Sequence, residues 1–112
     1  MLIKDLYHIL SSRHEEGSTI VQIALNPNCV VYKGHFPGQP ILPGVCAIQM
    51  IQECAPHPQG IASVERCRFT HLLTPAETPK IEIRYASTLP NRIEAEIWAN
   101  GIRCVSCRMT LS

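Results

Sequence analysis

The chain has 112 residues and a formal net charge of +1, with acids and bases interspersed along it. That length suits one domain, residues 1–112, which as a monomer would bury only about two-thirds of its unfolded surface, so an oligomer would help it. No basic patch or acidic tail points to nucleic acid or an anionic membrane as a partner, and no apolar run approaches the roughly 20 residues that span a bilayer.

The opening MLIKDLYHIL contains an acid and lacks a signal-peptide cleavage pattern, so a cytoplasmic protein is expected. LIKDLYHIL reads as a short helix running into a strand, EEGS (15–18) as a turn and TIVQIAL (19–25) as a strand. NPN (26–28) breaks that strand, and CVVYK (29–33) reads as another short one. Residues 34–44, GHFPGQPILPG, are too rich in proline and glycine for helix or strand. From Val45 to Ala55 nothing breaks a helix; Pro43 and Gly44 suit its start, and Pro56 with Pro58 stops it. About three turns result, roughly 17 Å. Val45, Cys46, Ala47, Ile48, Met50, Ile51 and Cys54 surround the cylinder, which predicts a helix buried nearly all round. Gln49, Gln52 and Glu53, at i, i+3 and i+4, form one narrow polar stripe on it.

Beyond residue 60 the pattern becomes that of strands. IASVERCRFT (61–70) alternates loosely, and PKIEIRYAS (79–87) sets Ile81, Ile83 and Tyr85 against Glu82 and Arg84. RIEAEIWA (92–99) sets Ile93, Ala95 and Ile97 against Glu94, Glu96 and Trp98. Asn100-Gly101 then separates it from IRCVSCRMTL, a strong hairpin signal because both turn residues need positive φ. One buried helix and five or six antiparallel strands define an α+β domain in which a curved sheet wraps the helix.

Cys104 and Cys107 form a CxxC among six cysteines. Within a strand, positions three apart face opposite sides, so neither a redox pair nor half of a zinc site is expected.

The proline-rich segment carries the chemistry. Gly34 and Gly38 permit unusual backbone shapes, while Pro37, Pro40 and Pro43 stiffen the chain around His35. A stiff loop suits a side chain that must be held in place, and histidine is the natural general base near neutral pH. The helix then begins at Gly44, where unpaired N–H groups and the helix dipole can polarise a carbonyl oxygen. A base beside an electrophilic anchor fits proton abstraction next to a thioester carbonyl. The plainer reading is a structural histidine in a proline-rich loop.

GHFPGQPILPGV, residues 34–45, resembles the signature of the hot-dog-fold β-hydroxyacyl carrier-protein dehydratases, whose loop G-H-F-P-G-x-P-x-x-P-G leads into a central helix. The likeness extends more weakly through IASVERCRFTHLLTPAE, PKIEIRYAS and the Asn100-Gly101 hairpin. It implies a hot-dog domain of five to seven antiparallel strands around one helix, assembled as a homodimer or a trimer of dimers. The acyl chain would lie along the dimer interface and the phosphopantetheine arm would enter from the surface. It implies a (3R)-hydroxyacyl thioester, on acyl carrier protein or coenzyme A, losing water to give the trans-2-enoyl thioester with no metal or redox cofactor. His35 matches the catalytic histidine and Gly44 the glycine whose N–H meets the thioester carbonyl. Phe36 and Pro37 would line the bend that presents His35, across a cis peptide bond. Val45, Ile48 and Phe69 are candidates for the acyl tunnel, with an ordinary core position as the plainer reading of each.

The chain departs from that family at one important point. The helix acid contributed by the partner subunit falls at Gln49, and an amide cannot donate a proton to a departing hydroxide. Glu53, one turn further along the stripe, could assist; its plainer reading is a solvated carboxylate. Three readings follow: a dehydratase in which His35 does the proton work and Gln49 orients the leaving group, a non-catalytic acyl-thioester-binding subunit paired with an active paralogue, or a hot-dog thioesterase. Arg66, Arg68, Arg103 and Arg108 could meet the pantetheine phosphates or an acidic carrier protein, or simply form a solvated face. The family's usual leader before the first strand is longer than the one here. That shortening, with Gln49, tilts the expectation toward a specialised pathway.

Overall fold

The computed structural model describes residues 6–27, 29, 41–54 and 61–111. In chain order the elements are β1 (Tyr7–Glu15), β2 (Ser18–Leu25), α1 (Gly44–Cys54), β3 (Ile61–Phe69), β4 (Lys80–Leu89), β5 (Arg92–Ala99) and β6 (Ile102–Leu111). The six strands form one sheet in the order β1-β2-β4-β5-β6-β3, and every neighbouring pair is antiparallel. β2 lies near one edge and β3 at the other, so the chain between them crosses the sheet and carries α1 with it. This makes the architecture α+β, as the strand patterns and the single helix predict.

Two tight turns set the register. Asn100 and Gly101 both have positive φ, 53° and 76°, and join β5 to β6 with Ala99 opposite Ile102. Glu16 and Gly17 do the same, at 49° and 83°, between β1 and β2. Such two-residue turns match the twist of the strands they join. A one-residue slip would turn a strand's apolar side chains outward; the observed register of β4 and β5 keeps Ile81, Ile83, Ile93, Ala95 and Ile97 inward. All five are buried. Across from them α1 buries Cys46, Ala47, Met50 and Ile51, positions that share one helix face. Full burial of a side chain such as Met50 or Ile83 contributes about 1.5–3 kcal/mol.

Residues from Tyr7 onward form the strand into which the opening stretch is expected to run, paired with β2, while residues 1–5 lie outside the described residues. Other expectations are corrected. The helix is not covered all round. Val45 is 75% exposed, and Ile48, Gln49 and Gln52, on the same face, are half-buried. One sheet reaches only one side of a helix, and within the described residues nothing encloses the other. Of the strand expected over 29–33, only Cys29 falls within the described residues, where it is buried.

The CxxC cysteines do not face opposite sides. The pairing of β5 with β6 steps from Ile97↔Val105 to Trp98↔Arg103, so Cys104 is the extra residue of a bulge. Both Cys104 and Cys107 are therefore buried, and both are free thiols. Burial, then the neighbouring Cys67 thiol, pushes Cys107 from 9.0 up to about 12. Two results are expected. Iodoacetamide at about pH 8 should leave Cys104 and Cys107 unmodified until the chain unfolds, read by peptide mass mapping, because only the thiolate reacts. A folded pKa above the unfolded one also means that the Cys107 contribution to stability is complete below pH 9.0 and is lost as pH rises toward about 12.

Candidate active site

The start of α1 is open. The Pro43 carbonyl accepts from the Cys46 and Ala47 N–H groups at 3.0 and 3.1 Å. Among the described residues the N–H groups of Gly44 and Val45 have no acceptor, and no acidic side chain stands in the first turn. The positive end of the helix is thus left for a ligand. Gly44 is packed closely on its other side: a Cβ there would sit 3.3 Å from two ring carbons of Phe69. That contact brings together two residues, one on the helix and one at the end of β3, that the sequence separates by a loop and a strand. The Leu42 N–H donates to the Leu73 carbonyl at 2.7 Å and ties the approach to α1 to the segment after β3.

Val45, Phe69 and Leu72 are 75%, 50% and 69% exposed. Val45, Phe69 and half-buried Ile48 are therefore not the core positions that the plainer reading made them. They leave apolar surface around the helix start.

The other end of the polar stripe is tied down. Tyr7 of β1 donates its hydroxyl to Glu53 Oε1 at 2.7 Å, and Gln49 Nε2 lies 3.5 Å from Glu53 Oε2. Glu53 is half-buried, not the solvated carboxylate that a position near a helix end suggests. Burial, then the Glu53 carboxylate, holds the Tyr7 phenol far above its ordinary value, so it stays a donor. Nothing local in the sequence points to Tyr7, because its partner is 46 residues away. His35, Phe36 and the bond between Phe36 and Pro37 lie outside the described residues.

The arginines lie on the opposite face of the sheet. Arg66, Arg68, Arg103 and Arg108 border a shallow cleft of about 680 Å³ that no residue of α1 reaches. Arg103 pairs with Glu96 at 3.0 Å and Arg108 with Glu94 at 2.9 Å. Exposed pairs of this kind are worth about 0–1 kcal/mol. This cleft is thus a charged sheet face, and no described residue of α1 lines it.

Residues 11–101 match the family model described as ApeI-like, ApeI dehydratase. Two relatives, each called 3-hydroxyacyl-[acyl-carrier-protein] dehydratase FabZ, are 31% identical over 81 residues. The match to the Desulforamulus reducens protein covers 62% of this chain and 57% of that protein; for Legionella pneumophila the shares are 60% and 53%. The chain thus spans a little over half the length of these curated relatives. Among solved structures, the dehydratase heterocomplex ApeI:P from Xenorhabdus doucetiae superposes with a TM-score of 0.75 at 18% identity, covering 92% of this chain and 95% of that one. An uncharacterized protein from Erwinia carotovora gives 0.60 at 22% identity, with 95% and 91% covered. The curved antiparallel sheet on a single helix is the hot-dog fold, and fold and family model together define a dehydratase-type domain of that class. The chain belongs to the ApeI-like dehydratase family. No helix among the described residues is long and apolar enough to cross a membrane.

Proposed function

We propose that the protein removes water from (3R)-hydroxyacyl thioesters, carried by acyl carrier protein or coenzyme A, to give trans-2-enoyl thioesters. The observation that carries this reading is the open start of α1, with the unpaired N–H groups of Gly44 and Val45 at one end of a helix face that runs through Ile48 to Gln49 and Gln52. A thioester carbonyl on the Gly44 N–H would be polarised as enolate character develops, which is when such donors contribute most. His35 takes the α-proton and, as imidazolium, returns it to the hydroxyl leaving C3. The carbon–oxygen bond breaks, a C2–C3 double bond forms and water departs. Gln49 orients that hydroxyl without moving a proton. Val45, Ile48, Phe36 and Phe69 form the apolar path for the acyl chain, and a second copy of the chain closes it as a homodimer.

The test is proton exchange. In D2O, a 3-hydroxyacyl pantetheine thioester should give the enoyl product and, through the reverse reaction, return with deuterium at C2. Absence of both product and exchange would rule the reading out. The amide at position 49 supplies a further expectation. Gln49→Glu should raise turnover in a coupled enoyl assay, because Glu53, about a helical turn away, would hold the new carboxyl partly protonated and able to donate. Like charges raise the folded pKa of that pair, so the variant should lose stability as pH rises through the pair's titration. Unchanged turnover with the fold intact would mean that no proton is needed from this position.

A second reading is favoured by the amide itself: a subunit that binds acyl thioesters and works beside an active paralogue. The likeness to a structure described as a dehydratase heterocomplex, ApeI:P, supports considering it.

A further inference from the structure

Tyr7 stands apart from the rest of β1. Residues His8 to Glu15 are exposed, whereas Tyr7 is only 8% exposed. Its position is fixed by the register that sets it opposite Leu25 and by the Asn26 N–H, which donates to the Leu6 carbonyl at 3.0 Å. From there the hydroxyl donates to one oxygen of Glu53, and the other oxygen faces the Gln49 amide. An ionised carboxylate can only accept, so the end of that amide turned toward Glu53 has to be the nitrogen. The carbonyl oxygen and the second N–H of Gln49 are left for something else. A tyrosine buried only to fill space would need any acceptor. This one has the carboxylate whose other oxygen orients the amide at the centre of the reachable helix face.

We infer that Tyr7 is a positioning residue for substrate recognition: through Glu53 it fixes the Gln49 amide so that its carbonyl oxygen accepts a hydrogen bond from the 3-hydroxyl of the acyl chain. The site then selects hydroxylated over deoxy acyl groups. This rests on the reading of the site as one for hydroxyacyl thioesters. It needs no proton transfer at position 49. Burial, then the bond to Glu53, raises the pKa of the phenol and so favours its donor form. A short charge-assisted bond, 2.7 Å from hydroxyl to carboxylate, is the kind that holds a geometry.

The test is a competition between 3-hydroxyoctanoyl and octanoyl pantetheine amides, which keep the carbonyl and resist elimination. The parent protein should prefer the hydroxylated ligand. Tyr7→Phe, Glu53→Gln and Gln49→Met should each cut that preference about tenfold. Glu53→Gln does so because it replaces one acceptor oxygen with an N–H donor. The decisive readout is the double variant: adding Tyr7→Phe to Gln49→Met should change the preference no further, since both remove one interaction. A full preference in Tyr7→Phe, or losses that add in the double variant, would overturn the inference. Should Tyr7→Phe not fold, Glu53→Gln carries the test, and an unchanged preference there overturns it equally. A parent that binds neither ligand, or both alike, would instead sink the functional reading and this inference with it.

Discussion

Replacing His35 with alanine is expected to lower the dehydration rate about 10²- to 10⁴-fold, the range that a positioned general acid–base contributes. The expectation follows from the shortage of substitutes. Gln49 cannot carry a proton, and Glu53 is engaged by Tyr7 and the Gln49 amide. What survives in the variant is the carbonyl anchor at the start of α1, which does not depend on the imidazole. The loss should therefore fall on kcat, with KM changed only a few-fold, because an interaction made in the transition state has been removed while ground-state binding remains. His35→Asn should behave alike, since it restores polarity but no base. Progress curves of enoyl formation for the parent and both variants check this. Turnover that persists in His35→Ala would move the proton chemistry to another residue.

Val45→Asp is expected to split the assembly and abolish turnover while leaving the protomer folded. Val45 is the second residue of α1 and is 75% exposed in the single chain, on the face that the sheet does not reach. In a lone protomer, aspartate there is favourable, since a negative charge in the first turn meets the positive end of the helix at about 0.3–1 kcal/mol. Against an apolar partner surface the same charge is buried without a counter-ion, at a cost of several kcal/mol. The two environments thus respond with opposite signs, which separates loss of assembly from loss of fold. Sedimentation should show a dimer for the parent and a monomer for the variant, with an undiminished melting temperature at matched low concentration. A variant that stays dimeric and active would place the contact between copies elsewhere.

Much of the fold was legible because the relevant signals are local. The alternation at 81–85 and 93–97 and the Asn100-Gly101 pair are properties of a few adjacent residues, and the structure follows them. The signals that failed are those that depend on remote partners. The bulge that buries Cys104 arises from how β6 pairs with β5, which the strand's own pattern does not encode. An apolar helix does not reveal whether its cover is its own sheet or another chain, so Val45 read as buried and is exposed. Of the candidate site, Gly44 and Gln49 stood out through their place in the helix and its loop. Phe69 against Gly44 is the product of tertiary packing. Tyr7 reaches Glu53 across 46 residues, and no spacing in the sequence marks it.

The most direct test of the central claim is conversion of a (3R)-hydroxyacyl thioester to its trans-2-enoyl product by the purified protein acting alone, with acyl carrier protein and coenzyme A forms offered in parallel. Steady product formation that disappears in His35→Ala is the predicted result. Tight binding of the thioester with no product, and turnover only once a second hot-dog subunit is added, would contradict it and make this chain the binding partner of another enzyme.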